Sequence, residues 1–426
     1  MRILLPTHLF PEKPTEPCVI AIDPVFFTGP DGTFKIHKAK LAYTIASCEE
    51  YAALHGIEVM YPDEVVYAKG DVCYEPMDRA VEKKLRKAGV EIAGYPGFVL
   101  DPKAYEGPLK LVSVYKEFRR VTGLLEGVPS MDAENRRPPD EELDKAVPPR
   151  RTVTPAMKKA IAYVEKNYPD HYGDATACGF YPSTRRAALK RLRAYAKDGI
   201  RLMKYQDAIV PGKSFLGHSV LSAAINIGLI GPLEVAKAIA RSDGSISDRE
   251  GFIRQIVWRE LMAIVSTRHP GPAKFGVPKR AWYDATTGLD PLDDCIQKAT
   301  STGYLHHIER LMVVLNAMTL VGLREGAIYR WFMEVVAMDA YDWIMAANIG
   351  VFAGFYPGVS RKPYISSSKY VKKMSNWGAG EWGEKWDALF YSAIPRFSFF
   401  RHVMSGKKYR ETNWIEIAKY VKRELL

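Results

Sequence analysis

The hydrophobic pattern changes near residue 129, and this change constrains the chain most: strands alternate with helices before it, and helix signals run almost alone after it. In the first part, short β-branched or apolar runs at residues 2–6, 18–22, 57–61 and 111–115 read as strands. Between them, residues 37–54 place apolar side chains at helical spacing, and residues 76–89 read as a charged amphipathic helix stopped by Gly89. Alternation of this kind predicts a parallel sheet with right-handed crossovers. From about residue 129 to 155 the chain turns to Pro, Asp, Glu and Arg (DAENRRPPDEELDKAVPPRR) without an apolar face. Such a segment has little area to offset its ordering entropy, so it reads as a surface linker.

Helix starts follow the linker. Thr154 caps a helix with Pro155 at its first position, Ser183 precedes RRAALKRLRAYAK, and Ser247 with Glu250 reads as a capping box before GFIRQIVWRELMAIV. The apolar stretches 304–323 and 329–347 read as long central helices of a bundle. The expected organisation is an α/β unit over 1–128, a linker over 129–153, and an all-helical unit over 154–426.

Composition narrows the function classes. Sixty Lys and Arg against 49 Asp and Glu leave a formal charge of +11, which favours polyanions such as nucleic acid without requiring them. The best apolar run, at 311–323, is broken by Asn316 and falls short of the ~20 residues that a spanning helix needs. The amino-terminal MRILLPTHLF, interrupted by Pro6, reads as a buried strand rather than a signal peptide, so a cytoplasmic location is expected. The five cysteines are scattered, with no C-x-x-C pair, which argues against a disulfide framework or a zinc site.

Four segments can carry chemistry, each with a plainer structural alternative. In SFLGHSVLSAAINIG (214–228), Ser219 and Ser222 with the amides of a helix start suit phosphate groups, or they merely cap the helix. In GYLHHIERLM (303–312), His306 and His307 can exchange protons near neutral pH, with Arg310 on the face of His307; a hydrogen-bonded core pair is the alternative. Adjacent histidines lack the i, i+4 spacing of a helical metal site. In WFMEVVAMDAYDWIMAAN (331–348), Asp339, Asp342 and Asn348 sit in apolar surroundings and require a ligand hydroxyl or an arginine such as Arg254 or Arg310. Trp331 and Trp343 there are electron carriers or ordinary core. In SRKPYISSSKYVKKMSNW (360–377), Arg361, Lys362, Lys369, Lys372 and Lys373 alternate with Tyr364, Tyr370 and Trp377, which suits a phosphate backbone and an unstacked base, or a solvated basic face.

Taken in order, these segments resemble the photolyase/cryptochrome superfamily, and within it the prokaryotic photolyase-related branch of bacterial cryptochromes and (6-4) photolyases that usually carries an iron-sulfur cluster. DPVFF and HKAKLAYTIASCEEYAAL are similar to its E-x-P-x-F and H-K-x-K-L segments, and MDAENRRP to its F-D-x-E-N-R-K-P linker. MKYQDAI, HSVLSAAINIGLI, GFIRQIVWREL, YLHHIERLM, DAYDW and RKPYISSSKYVKKMS continue the resemblance over nearly the whole length.

The resemblance implies an α/β N-terminal domain with a Rossmann-like parallel sheet, followed by a large all-α domain that binds FAD and UV-damaged DNA as a monomer. Ser219, Leu221 and Ser222 would line the FAD phosphates, and Tyr205, Ser214 and His218 would also bind the cofactor. Trp258, His307, Arg310, Asp339, Tyr341 and Asn348 would surround the flavin and its linker. His306 or His307 would serve as the acid of (6-4) repair. Lys362, Tyr364, Lys369, Tyr370, Lys372 and Lys373 would contact DNA, and Trp331, Trp343 and Tyr370 would carry electrons. The implied activity is light-dependent repair of (6-4) lesions; a cyclobutane-dimer photolyase, a cryptochrome-like blue-light sensor, or a flavoprotein that has lost activity are the alternatives.

The departures matter as well. The four cluster-cysteine positions of the branch align with Pro291, Gly378, Glu381 and Glu384, so no [4Fe-4S] cluster is expected, and Trp377, Trp382 and Trp386 are expected to pack that region. RQIVWREL is one residue shorter than the branch pattern, AANIGVFAG replaces its L-P-N-T-L-G-M-S, and a lumazine-type antenna chromophore stays open.

Overall fold

The structure is a computed structural model that describes every residue except 13, 361, 407–408 and 410–413. Five parallel strands form the amino-terminal sheet: β1 (Arg2–Leu4), β2 (Cys18–Ala21), β3 (Glu58–Met60), β4 (Val72–Tyr74) and β5 (Glu91–Ala93). Their order is β3-β2-β1-β4-β5, with Ile3 paired to Val19 on one side and to Cys73 on the other. β1 is central because Ile3, Leu4, Val19 and Ile20 are covered on both faces, as a doubly wound sheet requires.

Three expected strands form. The fourth, at 111–115, is instead the first turns of the helix Leu111–Thr122: Val114, Tyr115 and Phe118 turn inward on one face, and Gly123 at φ 67° ends it. β-branched residues there fit a helix because their spacing meets the core, which outweighs their strand preference. β4 and β5 are three-residue strands among polar neighbours, too short to show a pattern.

Residues 129–153 lie mostly exposed but are pinned at intervals. Asn135 is buried and donates to Ser247 O at 3.0 Å, and Asp132 accepts from Arg254 at 2.6 Å.

Helix starts differ in two places from expectation. Thr154 caps Pro155–Asn167 as expected, accepting from Met157 N at 3.2 Å. Thr184, not Ser183, caps Arg185–Lys197; the Ser183 hydroxyl is spent on the Glu50 carboxylate. The capping box of Ile246–Arg268 is Ser245 with Asp248, two residues upstream of Ser247 and Glu250, which leaves Glu250 fully buried inside the helix. Farther along the same helix, the buried Glu260 accepts from Val99 N (2.8 Å) and Leu100 N (3.0 Å), clamping the α/β domain; burial pushes its carboxyl up to about 7.

The two long central helices are also interrupted. The first contains a π-helical stretch, Glu309–Leu315, before Asn316–Val321. The second divides into Glu325–Val335, a 3-10 turn at Ala337–Asp339, and Asp342–Phe352. The break turns Asp339 toward Arg310 and lets Asp342 accept from Arg79 Nε at 2.6 Å and Tyr329 at 2.7 Å. Asp342 is thus consumed by an arginine of the α/β domain. No described helix is long and apolar enough to cross a membrane.

Candidate functional site

The helical part encloses a cavity of 780 Å³. Its walls are largely apolar, with Trp258, Leu311, Met312, Ile349 and Phe352 among them, and its polar groups gather in three places.

The first is the loop that delivers Ser219, Leu221 and Ser222. Val220, in the cavity wall, has φ 52° and Leu216 has φ 45°. A β-branched residue there costs about 1–3 kcal/mol, so the surroundings must hold it, and Arg191 does so by donating to Val220 O at 3.3 Å. Ser219 and Ser222 line the cavity, and their hydroxyls have no hydrogen-bond partner among the described residues. The helix that follows, Ser222–Asn226, has only five residues, so hydroxyls rather than a helix dipole dominate this end.

The second is the pair Arg310–Asp339. Arg310 donates to Asp339 Oδ2 at 2.7 Å and to Leu305 O at 2.5 Å. Burial opposes charge on Arg310, yet the Asp339 carboxylate keeps its pKa raised. Asp339 lines the cavity, and its Oδ1 is a buried acceptor with no hydrogen-bond partner. Behind it, Lys40 sits 3.5 Å from the Tyr341 ring centre and donates to Met338 O; burial pushes its ammonium well below the usual range.

The third lies at the mouth, around Asp207. His307 Nε2 stands 3.5 Å from Asp207 Oδ1, Tyr370 donates to Oδ2 at 3.3 Å, and Arg136 Nε is 3.6 Å away. Burial lowers the His307 pKa, opposed by its bond to Asp207. Burial would raise Asp207, but His307 and Arg136 hold it below the carboxylate norm.

The two adjacent histidines separate. His307 lines the cavity, whereas His306, 1% exposed, lies behind the wall. Its ring stacks on His218 at 4.6 Å, and its Nε2 is 3.4 Å from Glu309. Glu309 also takes Lys298 at 2.8 Å; burial opposes its charge, but these two partners pull its carboxyl down to about 2.

Residues 72–180 match the family described as deoxyribodipyrimidine photo-lyase-related protein. A (6-4) photolyase from Agrobacterium fabrum is 34% identical over 286 residues, covering 62% of this chain, and the chain spans 56% of that protein. An archaeal photolyase from Sulfolobus tokodaii, solved with two FAD molecules, aligns over 100% of this chain and 99% of its own with TM-score 0.54 and 16% identity. A Synechocystis cryptochrome aligns over 99% and 98% with TM-score 0.54 and 14% identity. In sequence and in fold, the chain is similar to proteins of the photolyase/cryptochrome superfamily.

Within that superfamily fold, the structure brings His218, Ser219, Leu221 and Ser222 to one cavity with Trp258, His307, Arg310, Asp339 and Asn348. Tyr205, Ser214 and Tyr341 lie off it. Tyr205 belongs to a small separate core with Leu143 and Val210, and its hydroxyl donates to Asp140 at 2.7 Å, tying down the 129–153 segment. Ser214 is half-buried outside the cavity wall, and Tyr341 is buried beneath Lys40. Lys362, Tyr364 and Tyr370 reach the mouth. Lys369, Lys372 and Lys373 do not; they are exposed on the helix Ser368–Met374, with Lys372 over the Trp382 ring at 5.2 Å. Arg361 lies outside the described residues.

Trp331 is fully buried, 5.2 Å from Phe332 of the cavity wall, and donates to Trp282 O at 2.6 Å. Trp343 is farther back, between Arg259 and Phe98. Asp207, Arg136, Arg259 and Trp282 escaped the sequence reading. The first three lay inside quoted motifs, MKYQDAI, MDAENRRP and GFIRQIVWREL, without being singled out, and Trp282 lay in none.

At the four positions aligned with cluster cysteines, Pro291 is buried in the helix Asp290–Thr302, and Gly378, Glu381 and Glu384 are exposed. Trp382 and Trp386 are buried beside them, edge to face at 6.3 Å, and Trp377 is half-buried. Asp294, Cys295 and Glu309 also approach one another, but the Lys298 ammonium sits among them, 2.6 Å from Asp294 and 2.8 Å from Glu309, where a metal cation would otherwise stand.

Proposed function

We propose that this chain is a light-dependent DNA photolyase for (6-4) pyrimidine lesions, with FAD held in the 780 Å³ cavity. The observation that carries the reading is one cavity lined by Asp339, whose buried Oδ1 has no partner, and by the histidine-carboxylate pair His307–Asp207. The volume and the apolar walls suit a cofactor of that size. Ser219 and Ser222 would bind its phosphates, and Arg310 with Asp339 its polar ring edge. Bound FAD supplies light absorption and the electron that goes out to the lesion and returns.

The remaining work falls to the chain. The apolar walls exclude water, and Arg136, Lys362, Tyr364 and Tyr370 receive a nucleotide pair extruded from the duplex. Returning the displaced hydroxyl in a (6-4) lesion requires an acid. His307 is that acid: Asp207 holds its Nε2 proton and steadies the imidazolium, which leaves the Nδ1 proton for donation. His306, behind the wall, buttresses His218. Trp331 and Trp282 extend from the wall and suit electron resupply.

Purified protein given FAD should show flavin absorption bands, and blue light should restore a defined (6-4) lesion in duplex DNA. No flavin uptake sinks the reading. Flavin uptake with repair of a cyclobutane dimer only, or with no repair, selects the dimer-photolyase or blue-light-sensor alternatives. His307→Ala should abolish (6-4) repair while flavin bands persist.

A further inference from the structure

A second recess, of 520 Å³, lies between the helix Leu111–Thr122 and residues 126–130, with Arg254 at its back. Four cations line it, Lys116, Arg119, Arg120 and Arg254, against one carboxylate, Glu126. Arg120 is engaged by Glu117, whereas Lys116 is exposed and has no ion pair among the described residues. Arg119 lies over the Tyr115 ring at 4.0 Å, and its Nε and Nη2 have no hydrogen-bond partner. The Tyr115 hydroxyl, on a residue 6% exposed, has only the Arg119 guanidinium as its polar side-chain partner. Arg254 Nε has only a 3.7 Å ion pair to Glu250.

Leaving several buried donors unmade costs about 1–3 kcal/mol each, so their collection on one wall is a feature to explain. A phosphate group answers it: its oxygens accept from a guanidinium fork and a phenol together, and its charge offsets Lys116 and Arg119, the two cations of the recess without a carboxylate among the described residues. The position says which phosphate. Arg254 also lines the main cavity and bonds Asp132, which lines the mouth, so recess and mouth share a wall.

We propose that this recess is a second phosphate subsite, which grips the backbone of the DNA strand flanking the extruded lesion. The proposal rests on the repair reading above. It makes the α/β domain part of the DNA interface, through a contact blind to sequence and to damage.

Lys116→Gln and Arg119→Gln test it, by fluorescence anisotropy with labelled duplexes, damaged and undamaged, across a KCl series. Each variant should weaken binding to both duplexes about 3- to 10-fold and reduce the salt slope by about 1. Flavin absorption and the melting temperature of Lys116→Gln should not change, which separates the contact from a folding role. Wild-type binding with affinity and slope unchanged in both variants overturns the subsite alone. Wild-type failure to bind any duplex overturns the repair reading and the subsite together. A small-ligand arm uses inorganic phosphate: if it stabilises wild type against heat more than Lys116→Gln, while DNA affinity is equal in the two, the site serves a free phosphate and the DNA assignment falls.

Discussion

Acid should loosen the seam between the two domains through one histidine. His37 is fully buried; its Nδ1 accepts from Ala39 N at 3.1 Å, and its Nε2 donates to Thr300 O at 2.8 Å. A second proton would displace the Ala39 amide and bury a charge. Burial accordingly holds the imidazole at about 4, against 6.5 for the free side chain. The unfolded chain therefore binds the proton more readily. The stability that His37 contributes is complete above pH 6.5 and drains as pH falls toward 4. Between about pH 7.5 and about pH 5 the linkage relation gives a loss of about 2 kcal/mol.

Urea unfolding of wild type and His37→Asn, followed by circular dichroism at both pH values, measures this. Asparagine keeps an acceptor for the Ala39 amide but does not titrate. The variant starts lower at the higher pH, by about 1–2 kcal/mol, because Thr300 O loses its donor. Its decline toward acid should be about 2 kcal/mol shallower. His8, held at about 3 by burial, and Asp78 and Glu260, held near 7, titrate identically in both proteins and cancel in the comparison. Equal declines would refute the assignment.

Other outcomes follow from the cavity. Arg310→Met leaves Asp339 as a buried carboxylate without a counter-charge and should cost about 3–5 kcal/mol in urea unfolding, with Arg310→Met/Asp339→Leu recovering part of the loss. Asp207→Asn removes the charge that opposes burial at His307, so the pKa of His307 falls further and the alkaline limb of the repair pH-rate profile should move to lower pH; an unmoved limb counts against His307 as the acid. Because Val220 sits at φ 52°, Val220→Gly should be more stable than Val220→Ala by about 1 kcal/mol, the reverse of their usual order, by thermal or urea melts.

The parts that were legible in the sequence share a physical cause: local pattern sets them. β1 and β2 lie in contiguous apolar runs, and His307 and Arg310 share a helix segment whose spacing alone predicts a common face. What tertiary partners decide was not legible. The apolar run through 329–347 shows no interruption, yet it breaks because Arg310 and Arg79 draw Asp339 and Asp342 in different directions. Neighbouring helical residues diverge by about 100°, so pattern cannot say which of His306 and His307 meets the cavity; stacking on His218 settles it. Arg136 and His307 meet Asp207 from segments far apart in the chain, and no spacing rule spans such distances.

The π-helical stretch at Glu309–Leu315 acts as a phase shifter. Upstream of Asn316, the helix aims Arg310 at Asp339; downstream, it aims Asn316 at Ser366, from which Asn316 Oδ1 accepts at 3.2 Å. The two directions are set independently because the wide turns between them absorb the mismatch. Removing one residue would let the segment wind as an ordinary helix and rotate one end against the other by about 100°. No side chain would be lost, yet either the cavity pair or the core contact would fall out of alignment. The chain can change residue types in this stretch far more easily than it can change their number.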